Sequence, residues 1–140
     1  MKESLATIPP YRFLPVIGMM AAIFFVSSQP GDKLHLPTFL NYDKAWHMLE
    51  YGLLSATCFF ALPQTHPTRT RTSTALGVIC FAFFYGVTDE FHQSFVPLRT
   101  SSFADVVADT LGAAIVAAAW WWRAGSVKTE IKKKSPAPNP

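Results

Sequence analysis

The sequence predicts an all-α fold, a bundle of four transmembrane helices with the N- and C-termini in the cytoplasm. Of the 140 residues, 50% are hydrophobic and only 15% are charged, below the roughly 25% that is typical of soluble domains. The hydrophobic residues are concentrated in four stretches, which are separated by segments containing proline and glycine. The lysine and arginine residues are concentrated on one side of the resulting topology, which predicts its orientation.

The four hydrophobic stretches define the predicted helices. A bilayer core of about 30 Å takes roughly 20 helical residues at about 1.5 Å each. With their flanking residues, the stretches form helices over residues 9–28, 43–62, 72–95 and 102–123. We expect one membrane domain over residues 13–123, preceded by a cytoplasmic N-terminus, residues 1–12, and followed by a basic, proline-rich cytoplasmic tail, residues 124–140. The tail is expected to be disordered from Lys128 because its composition cannot support a packed core.

Other interpretations of the composition are less favoured. Lys2 and Arg12 before an apolar run resemble the start of a cleaved signal peptide, but Val26-Ser27-Ser28 is a weak cleavage site, so we favour an uncleaved first helix. A small soluble bundle is disfavoured because helices that are apolar on most faces leave too little polar surface. The composition excludes intrinsic disorder and, despite the net charge of +3, argues against a nucleic-acid-binding module.

Positively charged residues predict the orientation of the bundle. The side with both termini and the second loop carries most of the 12 Lys and Arg residues, and the positive-inside rule places it in the cytoplasm. These residues are Lys2, Arg12, Arg69, Arg71, Arg123, Lys128, Lys132, Lys133 and Lys134. Lys33, Lys44 and Arg99 fall on the outer side. We therefore expect a multi-pass protein of the cell inner membrane.

Acidic residues follow the opposite distribution. Most fall in the outer loops or in the outer halves of the helices, namely Asp32, Asp43, Glu50, Asp89, Glu90, Asp105 and Asp109. At about 1.5 Å per residue, Glu50, Asp89 and Asp109 lie about 7 to 11 Å below the outer surface. Carboxylates are costly inside apolar segments and therefore indicate function, with a partner nearby.

Helical spacing places polar residues of three helices on shared faces. These faces carry Asp43, His47, Glu50 and Tyr51 in the second helix, Tyr85, Asp89, His92 and Gln93 in the third, and Ser102, Asp105, Asp109 and Gly112 in the fourth. Glu90 falls beside the polar face of the third helix. If all three faces turn inward, they form one polar pocket that is open to the outside.

Structural roles compete with function for part of this set. Ser102 to Asp105 resembles a capping box, and Asp43 falls in a first turn, where the helix dipole favours an acid. Lys44 and Arg99 could neutralise some of the acids, and Arg99 is best placed to make a bidentate bond to a carboxylate. A structural ion-pair network would also explain the cluster.

We expect no metal ligands, and the sequence leaves the cofactor open. His47, His92 and several carboxylates could converge, but the chain has no HExxH, ExxH or CxxC motif. Cys58 and Cys80 fall deep in the second and third helices, where packing is the simplest role for them.

The ordered polar motifs resemble those of the VanZ-like membrane proteins. They are Asp43-Lys44-x-x-His47-x-x-x-Tyr51, Asp89-Glu90-x-x-Gln93, Val96-Pro97-x-Arg99 with Ser102-x-x-Asp105, and Asp109-x-x-Gly112. The similarity covers roughly Leu14 to Trp122 and includes Ser27-Ser28-Gln29. The chain departs from the pattern at Leu98, where the family often has glycine, and at Asp109, where it usually has asparagine.

The resemblance implies a membrane fold and a role in the cell envelope. The founding member of the family is associated with low-level resistance to the glycopeptide teicoplanin. Many relatives occur without such resistance, so a general envelope role is the broader expectation.

From the converging polar faces we expect a pocket for the headgroup of a lipid-linked or glycan precursor. The expected binding residues are Asp43, Lys44, His47, Tyr51, Asp89, Glu90, Gln93, Arg99, Ser102, Asp105 and Asp109. One alternative is an intramembrane hydrolase or transferase with His47, Asp89 and Glu90 as catalytic candidates, and another is a small proton- or cation-coupled transporter. Expected partners are membrane lipids and a second copy of the chain through the small residues of helix 102–123, but no nucleic acid.

Overall fold

The structure is a computed structural model, which describes residues 8–31, 42–62 and 70–134, with side chains up to residue 126. A short 3-10 helix, Pro10–Phe13, leads into the first of four α-helices. These are α1, Leu14–Ser27, α2, Tyr42–Ala61, α3, Arg71–Gln93, and α4, Phe103–Lys134. The all-α prediction is confirmed for the described residues.

Three helical segments are long and apolar enough to cross a membrane. They are Pro10–Ser27, Arg71–Gln93 and Phe103–Ser126. The remaining helix, α2, has 20 residues, but its first half carries Asp43, Lys44, His47 and Glu50, which lower its hydropathy. Length and composition therefore identify three of the four predicted spans.

Local sequence signals explain where α1 and α3 begin. Pro10 and Pro15 stand in the first turns of the 3-10 helix and α1, where a missing backbone N–H costs nothing. Before α3, Thr70 and Ser73 form a capping box, in which each side chain accepts a hydrogen bond from the other residue's backbone N–H, at 3.0 and 3.1 Å. α3 starts one residue before its predicted position. The first predicted helix starts at residue 9, and the 3-10 helix begins one residue later, at Pro10, although α1 itself begins only at Leu14.

The end of α4 differs from the prediction. The helix continues to Lys134, past the predicted end at residue 123 and through the first residues of the predicted disordered tail. Residues 127–134 contain no helix breaker, and the first proline of the tail is Pro136, which disfavours helix in the residue before it. Residues 135–140 lie outside the described part of the chain, as do Lys2, Lys33 and Arg69.

α2 and α4 run parallel to each other and form the most extensive helix contact among the described elements. Gly112 of α4 faces the backbone of Met48, so close that a Cβ atom there would overlap the Met48 carbonyl oxygen and lie 2.8 Å from its Cα. Further along both helices, Phe59 stacks on Trp120 with ring centroids 4.4 Å apart. The glycine on this face of α4 thus lets the two backbones approach each other.

The contact between α2 and α4 involves small residues that the sequence predicts for contact with a second copy of the chain. Gly112, Ala113 and Ala117 are buried inside the chain, the latter two with 0% and 1% of their surface exposed. Ala118 and Ala119 are exposed. A second copy of the chain on helix 102–123 stays a prediction, and it would have to use the exposed side.

Arginine side chains mark one end of the bundle, which we call the basic end. Arg12, just before α1, donates a hydrogen bond to the Phe60 carbonyl oxygen near the end of α2. Arg71, at the start of α3, donates one to the Trp121 carbonyl oxygen at 3.2 Å and lies over the Trp121 ring. α1 and α3 therefore begin where α2 ends. We call the opposite end, where α2 and α4 begin, the acidic end.

The loop between α3 and α4 contains a left-handed residue. Leu98 has φ 61°, a conformation that favours glycine, and this is the position where the VanZ-like pattern often has glycine. The Gly31 N–H donates a hydrogen bond to the Pro97 carbonyl oxygen at 3.2 Å, which ties this loop to the segment after α1. A Cβ atom at Gly31 would overlap the Leu98 carbonyl oxygen.

Replacing Leu98 with glycine is expected to raise the free energy of unfolding by about 0.5–1 kcal/mol. The left-handed conformation costs an L-residue roughly 1–2 kcal/mol, and the extra flexibility of unfolded glycine offsets part of the gain. Leu98 is 77% exposed, so its side chain contributes little packing. Thermal unfolding in detergent, followed by tryptophan fluorescence, measures the change. Leu98→Ala keeps the Cβ and should show no comparable gain; equal gains in both variants would contradict the explanation.

Candidate functional site

The polar residues of α2, α3 and α4 meet at the acidic end. Six of the predicted site residues there are at least nine-tenths buried: His47, Asp89, Glu90, Gln93, Asp105 and Asp109. In the first turn of α2, at the edge of the cluster, Asp43 is exposed and Lys44 is partly buried. These six side chains point into the bundle, as the helical spacing predicts.

A buried hydrogen bond joins α2 to α4 at the centre of the cluster. His47 Nδ1 lies 2.9 Å from Asp109 Oδ1, and Asp109 is fully buried. Gly86 of α3 leaves the room for this carboxylate, because a Cβ atom there would lie 2.7 Å from Asp109 Oδ2. With Asp109 ionised, Nδ1 is the donor, so Nε2 of His47 is left for another partner and lies 4.0 Å from Asp43 Oδ1.

Gln93, the last residue of α3, connects two acids to Arg99. Its Nε2 donates hydrogen bonds to Asp89 Oδ2 at 3.1 Å and to Glu90 Oε1 at 3.2 Å. Its Oε1 accepts one from Arg99 Nε at 3.1 Å. The sequence predicts a bidentate bond from Arg99 to a carboxylate, but the described side-chain contact of Arg99 is with the Gln93 amide. Gln93 lies between the arginine and the two acids.

The start of α4 is capped differently from the expected capping box. The Ser102 hydroxyl accepts a hydrogen bond from the Ala104 N–H at 3.1 Å. The Ser102 N–H donates to Glu90 Oε2 of α3 at 2.7 Å, so Glu90 takes the place that a capping box would give to Asp105. The Asp105 carboxylate instead forms an ion pair with Lys44 of α2.

A small cavity of about 170 Å³ lies beside this cluster. It is lined by Val26, Ser27, Asp43, Trp46, His47, Glu50, Asp89, Gln93 and Arg99. Trp46 Nε1 donates a hydrogen bond to Glu50 Oε1 at 2.8 Å and so holds one wall. Pockets for drug-sized ligands usually occupy about 300–1,000 Å³, whereas this one holds roughly five water molecules at about 30 Å³ each. It suits a small polar group or a hydrated cation.

The sequence did not predict the contribution of α1 to the cavity. Ser27, at the end of α1, is 3% exposed, and its hydroxyl has no hydrogen-bond partner among the residues that the structure describes. Trp46 and Glu50 also line the cavity, and of these two the sequence indicates only Glu50, by its depth in the second helix. The sequence feature that could have indicated a role for Ser27 is the Ser27-Ser28-Gln29 motif, to which it belongs.

Several predicted residues do not line the cavity, namely Lys44, Tyr51, Tyr85, Glu90, His92, Ser102, Asp105, Asp109 and Gly112. Two of them, His92 and Tyr51, also make their contacts away from the cluster. His92 Nε2 is 3.0 Å from Ser28 Oγ, and its ring packs on Phe24 with centroids 4.6 Å apart, so it faces α1. Tyr51 is buried below the cluster, and its ring lies 6.1 Å from that of Tyr85. Neither lines the cavity.

Two overlapping groups of side chains have the spacing of metal ligands. One consists of His47, Asp89 and Glu90, all buried, and the other of Asp43, His47 and Asp105. Within each group the candidate ligand atoms lie within 4.8 Å of one another. The sequence showed no metal motif because these ligands come from separate helices.

Comparison with known proteins gives the family of this chain. The family model described as VanZ/LLP1 matches residues 13–124. The chain is also 30% identical, over 112 residues, to the Schizosaccharomyces pombe protein named "Uncharacterized protein C11E3.10"; the match covers 77% of this chain and 66% of that protein, just under two thirds of its length. No solved structure matches the chain at a significant level. With most of its length matched and three helices able to cross a membrane, the chain belongs to the VanZ/LLP1 family of membrane proteins.

Proposed function

We propose that the chain crosses the inner membrane four times, with the acidic end outside and both termini in the cytoplasm. The charge distribution supports this orientation, since Arg12, Arg71 and Arg123 lie toward the basic end with Trp121 and Trp122 beside them. The packing supports α2 as the fourth span, because two of its polar side chains are paired with acids of α4, His47 with Asp109 and Lys44 with Asp105. A reporter that fluoresces only in the cytoplasm should be active when fused after Pro140, whereas periplasmic phosphatase activity from the same fusion site would refute the orientation.

We propose that the cavity at the acidic end binds the polar headgroup of an envelope lipid. The observation that carries the proposal is the small cavity at the acidic end of the bundle, with Asp43, Glu50 and Asp89 in its wall. Carboxylates accept hydrogen bonds from hydroxyl and ammonium groups, and they repel phosphate. The bound group is therefore an amine or a sugar hydroxyl, and Arg99 is the cation placed for an adjoining phosphate.

Two kinds of envelope lipid present such groups, an amino phospholipid and a lipid-linked glycan precursor. The cavity volume of about 170 Å³ admits the terminal amine or part of one sugar, but not a whole oligosaccharide. A change in glycopeptide susceptibility would follow only if the bound headgroup belongs to a cell-wall precursor. The role we propose is thus headgroup binding, with resistance as a secondary consequence.

Photocrosslinking from the cavity wall tests headgroup binding. A benzophenone amino acid replaces Trp46, which is 40% exposed and lines the cavity, and in a control it replaces Phe84, which is 61% exposed on α3. The protein is reconstituted in phosphatidylcholine, whose headgroup has no hydrogen-bond donor, with minor amounts of phosphatidylethanolamine and a polyprenyl-diphosphate-linked sugar.

The probe at Trp46 is expected to label one of the minor lipids several-fold above its abundance, while the probe at Phe84 labels all lipids in proportion to abundance. Enrichment of phosphatidylethanolamine would identify an amine site, and enrichment of the linked sugar a glycan site. Labelling in proportion to abundance from both positions would refute the proposal.

A further inference from the structure

We infer that the acidic end binds a divalent metal ion through His47, Asp89 and Glu90. The histidine comes from α2 and the two acids from α3, and all three are at least nine-tenths buried. Their candidate ligand atoms lie within 4.8 Å of one another. Nitrogen and oxygen ligands sit about 2.0–2.2 Å from a transition-metal ion, so ligands on opposite sides of one ion are about 4 Å apart. Small side-chain rotations are enough to bring the three groups onto one ion.

The orientation of His47 suits a metal ligand. Histidines that bind metals almost always donate their other ring N–H to a carboxylate or carbonyl, which fixes the ring and makes the ligating nitrogen more basic. Asp109 Oδ1, 2.9 Å from His47 Nδ1, is such a partner, and it is fully buried. The arrangement leaves Nε2 of His47 as the ligating atom.

The charge balance at the acidic end also calls for a cation. The described carboxylates of the cluster outnumber its basic side chains, and Lys44 is already paired with Asp105. Asp89 and Glu90 receive hydrogen bonds from the neutral Gln93 amide, and Glu90 receives one from the Ser102 N–H. Buried carboxylates are costly without a compensating charge, especially within an apolar segment. A bound divalent ion would supply it.

An independent observation in the cavity points to a ligand. Ser27 lines the cavity together with His47 and Asp89 and is 3% exposed, and its hydroxyl has no hydrogen-bond partner within the described ranges. Buried polar groups nearly always have a partner, so an orphan hydroxyl needs an explanation. The cavity has room for water on the open side of a metal ion, and a metal-bound water would give Ser27 its partner.

The ligand set selects the class of ion. One imidazole nitrogen with carboxylate oxygens favours Mn²⁺ or Zn²⁺ over Ca²⁺ and Mg²⁺, which prefer all-oxygen sites, and over ions that need thiolates. The overlapping group of Asp43, His47 and Asp105 is the weaker candidate, because Asp43 is exposed and Asp105 is held by Lys44. Both groups share His47, so one histidine substitution tests either.

The experiment uses the full-length protein, purified in detergent, stripped with a chelator and titrated with Mn²⁺ without added lipid. Electron paramagnetic resonance measures free Mn²⁺ directly. We expect about one Mn²⁺ per chain, at least tenfold weaker binding in His47→Ala and Asp89→Asn, and unchanged binding in His92→Ala. His92 is the matched control because it lies at the same end but outside both ligand groups. Pulsed measurements on the wild-type complex should show coupling to an imidazole nitrogen.

Non-saturating Mn²⁺ binding, binding without imidazole coupling, or equal affinity in His47→Ala and His92→Ala would overturn the inference. Helical circular dichroism identifies variants that fail to fold, and the wild-type nitrogen coupling decides the question if His47→Ala is among them. Weakening in Asp43→Asn but not in Asp89→Asn would overturn the assignment to Asp89 and Glu90. Because no lipid is present, this result is separate from the photocrosslinking result on headgroup binding.

Discussion

Replacing Gly112 with alanine is expected to lower the free energy of unfolding by about 1–3 kcal/mol, the usual cost of overpacking. The added methyl would overlap the Met48 carbonyl oxygen and come within 2.8 Å of its Cα. A backbone cannot rotate away as a side chain can, so α2 and α4 would have to separate. His47 and Asp109 lie within one turn of this contact, and their hydrogen bond would lengthen as well.

Gly77→Ala is the matched control for this prediction. Gly77 is also in the middle of a helix, but a Cβ atom there has nothing within 4 Å. Alanine has the higher helix propensity, by up to about 1 kcal/mol, so this variant should be neutral or slightly stabilised. Thermal unfolding in detergent, followed by circular dichroism, compares the two. Similar melting temperatures for both variants would contradict the close approach of α2 and α4.

Removing the Asp109 carboxylate is expected to have the largest effect, a loss of about 3–5 kcal/mol in Asp109→Ala, as when one partner of a buried pair is deleted. The fully buried Asp109 is the described partner of His47 Nδ1, and the truncated side chain would leave that nitrogen without an acceptor. Chemical unfolding in a denaturing detergent measures the loss.

Asp109→Asn separates the hydrogen bond from the charge. The amide oxygen still accepts from His47 Nδ1, so we expect a loss of only about 1 kcal/mol, the difference between a hydrogen bond to a charged group and a neutral one. VanZ-like proteins usually carry asparagine in this motif, which agrees with a modest effect. Equal losses in the alanine and asparagine variants would show that the hydrogen bond is not what stabilises the contact.

Helical periodicity was sufficient to predict the side chains at the centre of the cluster. His47, Asp89, Asp105 and Asp109 fall on the inward faces of their helices because residues three and four apart share a face, and burying carboxylates among neighbouring helices is cheaper than exposing them to lipid. The apolar composition of the third stretch predicted the position of α3, whose ends lie within two residues of the predicted ones.

Periodicity could not predict which of these side chains form pairs with each other. Whether Lys44 meets Asp105 and whether Glu90 caps Ser102 depend on how far each helix is shifted along its axis and on the path of the α3–α4 loop. Arg99 reaches Gln93 by way of this loop, with its left-handed Leu98. The extension of α4 was missed for another reason, since a basic composition was interpreted as disorder although helix-forming residues continue to Lys134.

The gap at Gly86 has an evolutionary consequence. Asp109 Oδ2 lies 2.7 Å from the point that the Cβ atom of an alanine at position 86 would occupy, so the carboxylate would have to move to admit that alanine. An alanine at position 109 would place its Cβ 3.3 Å from the same point, a tight but tolerable contact. Substitutions at the two positions should therefore be epistatic. An alanine should be accepted at position 86 more readily once position 109 carries a side chain shorter than aspartate or asparagine.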